Sequence, residues 1–584
     1  MAKHEEINSI SGLNASKGIV IGTAYVRKLN QETIVARTLI STDKIAEEMA
    51  KLKKAQDMVA EELELVRKKI AKNLGPAYSD IISAQLAILT DQEVFREVKA
   101  YIEEHHVNVA FAYRVVVNQY VELLEDHDSE YFKERVSDIR DIKQRVLLAL
   151  ISKQTILSTF TIDKPTIFVS RDLNPSDIMM LVSENVVGLI TEFGGKTSHV
   201  AILARAMKVP MITGAKEALQ NIESGQTCIL DADHEKIFVQ PSQELLDEYA
   251  REIDKLEKQE QVFIAAHDKK AITKDGFTFK LGANISLPFE VDDVKKYGAD
   301  GIGLYRTEYL YLMKQDLPNE EELFNEYRQV TENMQNKEVI IRTIDLGGDK
   351  MSALWDQDIR FESNPFMGYR AIRICLDQPS VFVTQLRAIL RSSAFGKASI
   401  LLPMITHIEQ LTESMAYIEE VKRTLDKEKI LYDRSIEVGM MIETPAVVMN
   451  IENFVDKIDF ISIGTNDLTQ YTLAVDRGNE RVTNVYNHYD PSIIKMILKV
   501  VNAAHKAGIP AYVCGEMASE FRALVLFMAM KVDGLSVVPN YIGAVRDHIN
   551  MCEQKNAEQH LKKILQMKTR KEIIDYLDNL SNCS

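Results

Sequence analysis

Three kinds of side chain here could do chemistry by their type and spacing: one histidine in a glycine-rich turn, a set of arginines and carboxylates, and one thiol. His199 closes the stretch Glu192-Phe-Gly-Gly-Lys-Thr-Ser-His199 and opens the apolar run Val200-Ala-Ile-Leu-Ala-Arg-Ala-Met207. Gly194 and Gly195 allow backbone conformations barred to other residues, and Thr197 or Ser198 can cap the next turn, so the spacing predicts His199 in the first turn of a short helix. Free backbone N–H groups and the positive end of the helix dipole disfavour a protonated imidazole there and favour a phosphoryl group attached to it. A neutral nucleophile that becomes an anion suits this place. A lone histidine in such a turn is more often a satisfied core residue, and what reverses that reading lies further along the chain.

The second set follows short apolar runs. It comprises Arg306-Thr-Glu308, Arg342, Asp345-Leu-Gly-Gly-Asp-Lys350, Glu443-Thr-Pro445, Gly464-Thr-Asn-Asp467 and Cys514-Gly-Glu516, with Arg370 and Arg477 adding two cations. Guanidinium groups grip phosphate and carboxylate with two prongs. Glu443 and Asp467 are few enough to hold Mg2+ while leaving positions open for substrate oxygens and water. Singly, each residue has a plain structural alternative: an Arg–Glu ion pair, a helix cap at Asp467, or a small core residue at Cys514. Together they point to a small phosphate ester of a carboxylic acid.

Elements with matching periodicity must position these groups. Residues 19–26 alternate as a strand, and from Thr42 apolar residues Ile45, Met49, Leu52, Val59, Leu63, Val66 and Ile70 recur at helical steps. Further helical stretches at about 79–104, 109–126 and 130–151 complete a bundle of four. After Ser152, β-branched runs such as Pro165-Thr-Ile-Phe-Val169 and Val186-Val-Gly-Leu-Ile190 alternate with the helix after His199. The simplest arrangement lets the N-terminal strands join this block. The expected organisation is an α/β domain of residues 1–33 and 153–241, a helical insertion of 34–152, a charged connector helix of 242–270, and 271–584 as a (β/α)8 barrel whose strands start near Phe279.

Composition narrows the function. A chain of 584 residues with formal charge -16 is too long for one core and too acidic for a nucleic-acid partner, and a basic protein partner fits better. Met1-Ala-Lys-His-Glu-Glu6 lacks an apolar signal core, and no apolar run approaches the roughly 20 residues that span a bilayer. Cytoplasm is the expectation, with no membrane contact. The five scattered cysteines indicate neither a disulfide frame nor a zinc cluster.

The motifs Gly194-Gly-Lys-Thr-Ser-His199, Gly303-Leu-Tyr-Arg-Thr-Glu308, Asp345-Leu-Gly-Gly-Asp349, Pro365-Phe-Met-Gly-Tyr-Arg-Ala-Ile-Arg373, Gly439-Met-Met-Ile-Glu-Thr-Pro445, Phe460-Ile-Ser-Ile-Gly-Thr-Asn-Asp-Leu-Thr-Gln-Tyr471 and Cys514-Gly-Glu516 resemble those of the enzyme I family of the sugar phosphotransferase system, the phosphoenolpyruvate-protein phosphotransferases. The resemblance runs over nearly the whole chain. It implies a phosphohistidine α/β domain with an inserted helical bundle that docks the phosphocarrier protein HPr. It also implies a C-terminal TIM barrel that binds phosphoenolpyruvate and forms a homodimer. In that likeness His199 is the phosphorylated residue, reacting through Nε2; Arg306, Arg342, Arg370, Arg477, Asn466 and Asp467 meet the substrate; Glu443 and Asp467 hold Mg2+; and Cys514 is the acid that protonates the departing enolate, giving pyruvate. Because nucleophile and substrate pocket then belong to different domains, hinge motion at the connector is expected.

Departures from the family pattern are Lys196, where arginine is expected, the loop Asn484-Val-Tyr-Asn-His-Tyr-Asp490, and Val532-Asp-Gly-Leu-Ser-Val-Val-Pro539. Rival readings are a regulatory, nitrogen-type branch enzyme, a carrier-binding scaffold without turnover, and a pyruvate-phosphate dikinase. The dikinase needs a nucleotide-binding domain, and the first 150 residues are helical without a Gly-rich phosphate loop.

Overall fold

The computed structural model describes residues 9–27, 35–73, 80–125, 130–152, 164–173, 177–178, 181, 185–195, 199–313, 317–347, 364, 366–477, 479, 481–482 and 484–580. It divides into two compact units, Met1–Lys258 and Gln259–Ser584.

In the first unit, β1 (Ser9–Ser11), β2 (Leu13–Ser16) and β3 (Ile19–Arg27) join β4 (Thr166–Ser170), β5 (Val186–Thr191), β6 (Met211–Thr213), β7 (Thr227–Asp231) and β8 (Lys236–Val239) in one mixed sheet of order β1-β8-β7-β3-β4-β5-β6-β2. Central β3 pairs in parallel with β4 and antiparallel with β7. The chain leaves the sheet after β3, forms helices, and returns at β4, which makes the bundle an insertion. Ile167, Val169, Ile190, Ile212 and Leu230 form the sheet's buried core.

Among the described residues the bundle has five helices where the periodicity predicted four: α1 (Ile45–Asn73), α2 (Asp80–Leu89), α3 (Gln92–His105), α4 (Val109–Glu125) and α5 (Glu130–Ser152). The stretch expected as one helix from about 79 to 104 breaks at Asp91, whose extended backbone and side chain cap α3 by accepting the Glu93 N–H at 2.8 Å. Apolar residues continue at helical spacing across this break, so a period count passes over it. Of the apolar residues in that pattern α1 buries Met49, Leu52, Val59, Leu63 and Val66; Ile45 is half-buried, and the side chain of Ile70 lies outside the described residues. A buried cluster ties the bundle to the sheet: Arg145 of α5 donates to Glu62 and Asp141, both at 2.8 Å, and lies 3.5 Å from Asp177, which also accepts from Arg27 of β3 at 2.8 Å.

The helix α7 (Gln243–Ala265), numbered after the short α6 (His199–Ala206), has no buried residue and spans the boundary between the units. Its first turns are held by Tyr249, whose hydroxyl donates to Asp231 at 2.9 Å. Past its end, the Ala266 carbonyl accepts from buried Arg546 at 3.0 Å.

The second unit is a closed barrel. After the short β9 (Ala271–Ile272), eight parallel strands follow one another: β10 (Thr278–Ile285), β11 (Gly301–Tyr305), β12 (Val339–Arg342), β13 (Ala398–Leu402), β14 (Glu437–Ile442), β15 (Phe460–Gly464), β16 (Ala511–Cys514) and β17 (Gly534–Val537), with β10 pairing both β11 and β17. Leu304, Ile340, Leu401, Met441 and Phe460 fill part of its interior. A Cβ at Gly439 would lie 2.3 Å from the Phe460 ring, so glycine there admits the aromatic that packs across β14 and β15. The helices α8 (Glu320–Met334) and α9 (Pro379–Ser392) pack against each other outside the barrel, and α10 (Thr465–Leu473) follows β15. Cys228, Cys375 and Cys514 are free and buried, while Cys552 is disulfide-bonded.

Candidate active site

His199 is the first residue of α6, at the end of the Gly-rich loop. Lys196, Thr197 and Ser198 lie outside the described residues. The loop's entry is fixed by β5 and β6: the Thr213 hydroxyl accepts from Thr191 at 2.9 Å and donates to the Phe193 carbonyl at 3.0 Å. Glu192 accepts the Leu219 N–H at 3.0 Å. Gly194 turns at φ +122°, and a Cβ there would sit 2.6 Å from the Thr213 hydroxyl, so this glycine is needed on both counts.

The remaining predicted residues gather at the C-terminal ends of the barrel strands. Arg306 follows β11, Arg342 ends β12, Glu443 follows β14, Asn466 and Asp467 lie in the first turn of α10 after β15, and Cys514 ends β16. Arg370 arrives from outside the strands, set by a bridge to Gly347 and by the Ala371 N–H donating to the Leu346 carbonyl at 3.0 Å. Arg477 reaches Asp467 at 3.8 Å and is more exposed than the rest.

Asp345 bridges two of the arginines, meeting Arg342 at 2.8 Å and Arg370 at 2.6 Å. Arg342 also donates to Glu308 at 2.9 Å, and Arg370 donates to the Tyr471 hydroxyl at 3.0 Å. Burial works against both charges, but the carboxylates prevail and hold both guanidinium pKa values above their ordinary range. Burial pushes Asp345 up, and Arg342 and Arg370 bring it below its ordinary value. The structural ion pair is thus present, and it still leaves the Nε atoms of Arg342 and Arg370 buried without hydrogen-bond partners.

Arg306 differs. Its half-buried guanidinium has no hydrogen-bonded or ion-paired partner among the described residues, and burial together with neighbouring Arg342 lowers its pKa. An unpaired cation beside a second one is a place for an anion. Asn466 is held by Glu516, whose N–H donates to its Oδ1 at 3.0 Å and whose carboxylate accepts from its Nδ2 at 3.3 Å. From the atypical loop, Tyr486 donates to the Asn466 carbonyl at 3.2 Å.

The carboxylates fit a divalent cation. Glu443 is raised by burial and by the charges of Asp345 and Asp467, and Oδ1 of Asp467 is buried without a hydrogen-bond partner. Two hard oxygen donors with like charges crowded around them suit Mg2+ with substrate oxygens completing its shell. Among the described residues no group of three or more His, Cys, Asp or Glu side chains could hold a metal, so such an ion would depend on that pair. Asp467 lies inside α10, whose N-cap is Gly464, so it does not serve as the cap. Cys514 packs in the barrel interior, takes a hydrogen bond from Ser462 at 3.1 Å, and has its thiol pKa raised by burial.

A histidine-bearing α/β unit and a barrel crowned with arginines and a carboxylate pair define a class, the PEP-utilising enzymes. Family models match in that order: PEP-utilising enzyme, N-terminal, over 11–135; mobile domain over 162–235; and PEP-binding domain over 260–554. Phosphoenolpyruvate-protein phosphotransferases of Priestia megaterium and Bacillus subtilis (strain 168) are 37% and 38% identical to the chain, covering 97% and 98% of it and 98% and 99% of themselves. That of Haemophilus influenzae is 38% identical over 97% of both chains. The chain belongs to the phosphoenolpyruvate-protein phosphotransferase family.

The sequence places Glu308 and Asp345 at the strand ends without assigning them a part, and it gives no sign of Gln385, a fully buried residue of α9 that accepts the Ile344 N–H at 2.9 Å. A glutamine in the middle of a helix carries no motif, and only its burial marks it.

Proposed function

We propose that the chain takes the phosphoryl group of phosphoenolpyruvate onto His199, releases pyruvate, and passes the group to the phosphocarrier protein HPr, the first and sugar-independent step of phosphoenolpyruvate-dependent sugar uptake. The observation that carries this reading is Arg306, a cation beside Arg342 with no hydrogen-bonded or ion-paired partner among the described residues. Phosphoenolpyruvate offers two anionic groups to such a cradle.

In the reaction, the bond from phosphorus to the enol oxygen breaks as a bond from phosphorus to Nε2 of neutral His199 forms. The arginines spread the charge that moves to the equatorial oxygens and the enolate, so catalysis is positioning plus electrostatics. The Cys514 thiol gives its proton to the methylene carbon, producing pyruvate, and burial keeps that thiol protonated beforehand. Glu443 and Asp467 would hold Mg2+, which when bound neutralises part of the substrate's charge. Asn466 orients substrate oxygens, and Arg477 closes the exposed side. Residues 34–152 serve as the HPr-docking insertion, 242–270 as the connector, and 271–584 as the substrate and homodimer domain, in a cytoplasmic enzyme. Among the described residues no helix is long and apolar enough to cross a membrane.

Incubation with labelled phosphoenolpyruvate tests the reading: the parent protein takes up label and His199→Ala takes up none, whereas label retained in the variant would refute the assignment. Cys514→Ala slows pyruvate formation and spares exchange between phosphorylated protein and carrier; equal loss of both would remove its acid role.

A further inference from the structure

Gln385 lies in the middle of α9, outside the barrel, and is fully buried. A buried amide with unmet donors is costly, so its partners are informative. Its Oε1 accepts the Ile344 N–H at 2.9 Å, and its Nε2 donates to the Thr307 hydroxyl at 3.1 Å and to the Tyr327 hydroxyl at 3.0 Å. A backbone N–H can only donate, which fixes the amide's orientation. Thr307, relieved of its need for a donor, sends its own proton to the Arg342 carbonyl at 2.9 Å.

Thr307 stands directly after Arg306, and Ile344 directly before Asp345. One side-chain amide therefore joins the loop leaving β11 to the loop leaving β12. On the substrate side of the same two loops, Glu308 accepts from Arg342 at 2.9 Å and from the Asp345 N–H at 3.2 Å. Next to these two fastenings in the chain stand Arg306 and Arg342, two cations whose mutual repulsion contributes to the lowered Arg306 pKa. Like charges drive such loops apart when no anion lies between them, and each fastening resists that.

We propose that Gln385 is a positioning residue for the reaction: it clasps the β11 and β12 loops from behind so that Arg306 and Arg342 keep the separation a small polyanion requires. The inference rests on the reading of those arginines as the phosphoenolpyruvate cradle. Gln385 touches neither substrate nor reacting atoms; its effect passes through Thr307, Ile344 and the Arg342 carbonyl.

Gln385→Glu tests this in the full-length protein. A protonated glutamic acid can still accept from Ile344 and donate to Thr307. Once ionised it only accepts, and Thr307 must turn its proton away from the Arg342 carbonyl to satisfy it. Burial raises the pKa of the new carboxyl toward the working range. The expected result is a new alkaline limb: kcat/KM for labelled phosphoenolpyruvate near the parent value at pH 6 and lower by roughly 10- to 100-fold at pH 8.5. Phosphorylation of His199 in reverse, from phosphorylated carrier, does not use the cradle and keeps its parent rate. A role confined to folding would instead reduce both reactions together, following the melting temperature. Gln385→Met, close in volume and without polar atoms, shows the loss at every pH; should it fail to fold, the titration of Gln385→Glu still decides. A parent-like pH profile in folded Gln385→Glu, or equal loss in both transfer reactions, overturns the clasp. Arg342→Ala separates the two ideas: if it retains phosphoenolpyruvate-dependent labelling, the cradle reading itself falls.

Discussion

Asp345 sits between Arg342 and Arg370 and bonds to both, one carboxylate oxygen to each guanidinium, at 2.8 and 2.6 Å. With its side chain only 4% exposed, it holds together two buried cations that would otherwise face one another. Removing the shared partner of a buried ion cluster leaves uncompensated charge, which costs about 3 to 5 kcal/mol. Asp345→Asn is expected to unfold its barrel at correspondingly lower denaturant. Because the exposed need is for negative charge, inorganic phosphate should raise the variant's midpoint by more than the parent's; equal shifts would mean that the arginines do not form one anion-binding cluster.

Arg306 predicts the opposite pattern. It is half-buried, has no ion-paired partner among the described residues, and burial and Arg342 both disfavour its charge. Arg306→Met should therefore leave stability within about 0.5 kcal/mol of the parent, since among the described residues no hydrogen bond or ion pair is lost with it. The same change should lower kcat/KM for phosphoenolpyruvate by roughly 100-fold or more, as loss of a preorganised cation does. Thermal denaturation and labelled-substrate kinetics on one preparation check both halves. A variant that melts much lower and still turns over would show Arg306 to be a structural residue.

How far these features could be read from the chain depends on their physical origin. Barrel strands announce themselves as short apolar runs, and the chemistry follows because side chains just past those runs face the mouth, so Arg306, Arg342, Glu443, Asp467 and Cys514 form a group in the sequence alone. The break at Asp91 could not, since a cap reveals itself by a bond to Glu93 and not by a change in hydrophobic period. Arg370 was legible only as a motif, because it reaches the mouth through a bridge to Gly347 that no local pattern encodes. The bonds of Gln385 join residues 41 and 78 positions away, and side chains acting over such separations are silent in sequence.

Glu326 gives the chain a pH-dependent weakness away from the substrate. It is buried in α8 with Tyr305 donating to it at 2.7 Å, and burial pushes its pKa up to about 7 from an ordinary 4.5. The folded state thus holds a proton that the unfolded state releases, so this contribution is complete below about pH 4.5 and is lost as pH rises to about 7, then stays constant. The full loss is on the order of 3 kcal/mol. Glu326→Gln keeps an acceptor for Tyr305 and carries no charge. It should be more stable than the parent at pH 8 and equal to it near pH 4.5; urea midpoints at both values measure this, and a variant weaker at pH 8 would mean the carboxylate is stabilised by something other than Tyr305.

Glu443 separates metal binding from folding. In the metal-free protein its charge is disfavoured by burial and by Asp345 and Asp467, and Asp467 keeps a buried oxygen without a hydrogen-bond partner. A divalent cation would relieve both, and an ion present at 100 times its Kd adds about 2.7 kcal/mol to stability. The parent should therefore melt higher with Mg2+ than with chelator. In Glu443→Gln one of the crowded carboxylates is gone, so with chelator the variant should melt at or above the parent, yet Mg2+ should raise its melting temperature little. If Mg2+ stabilises parent and variant alike, the cation binds elsewhere, and the assignment of this pair as its ligands fails without touching the phosphoryl acceptor at His199.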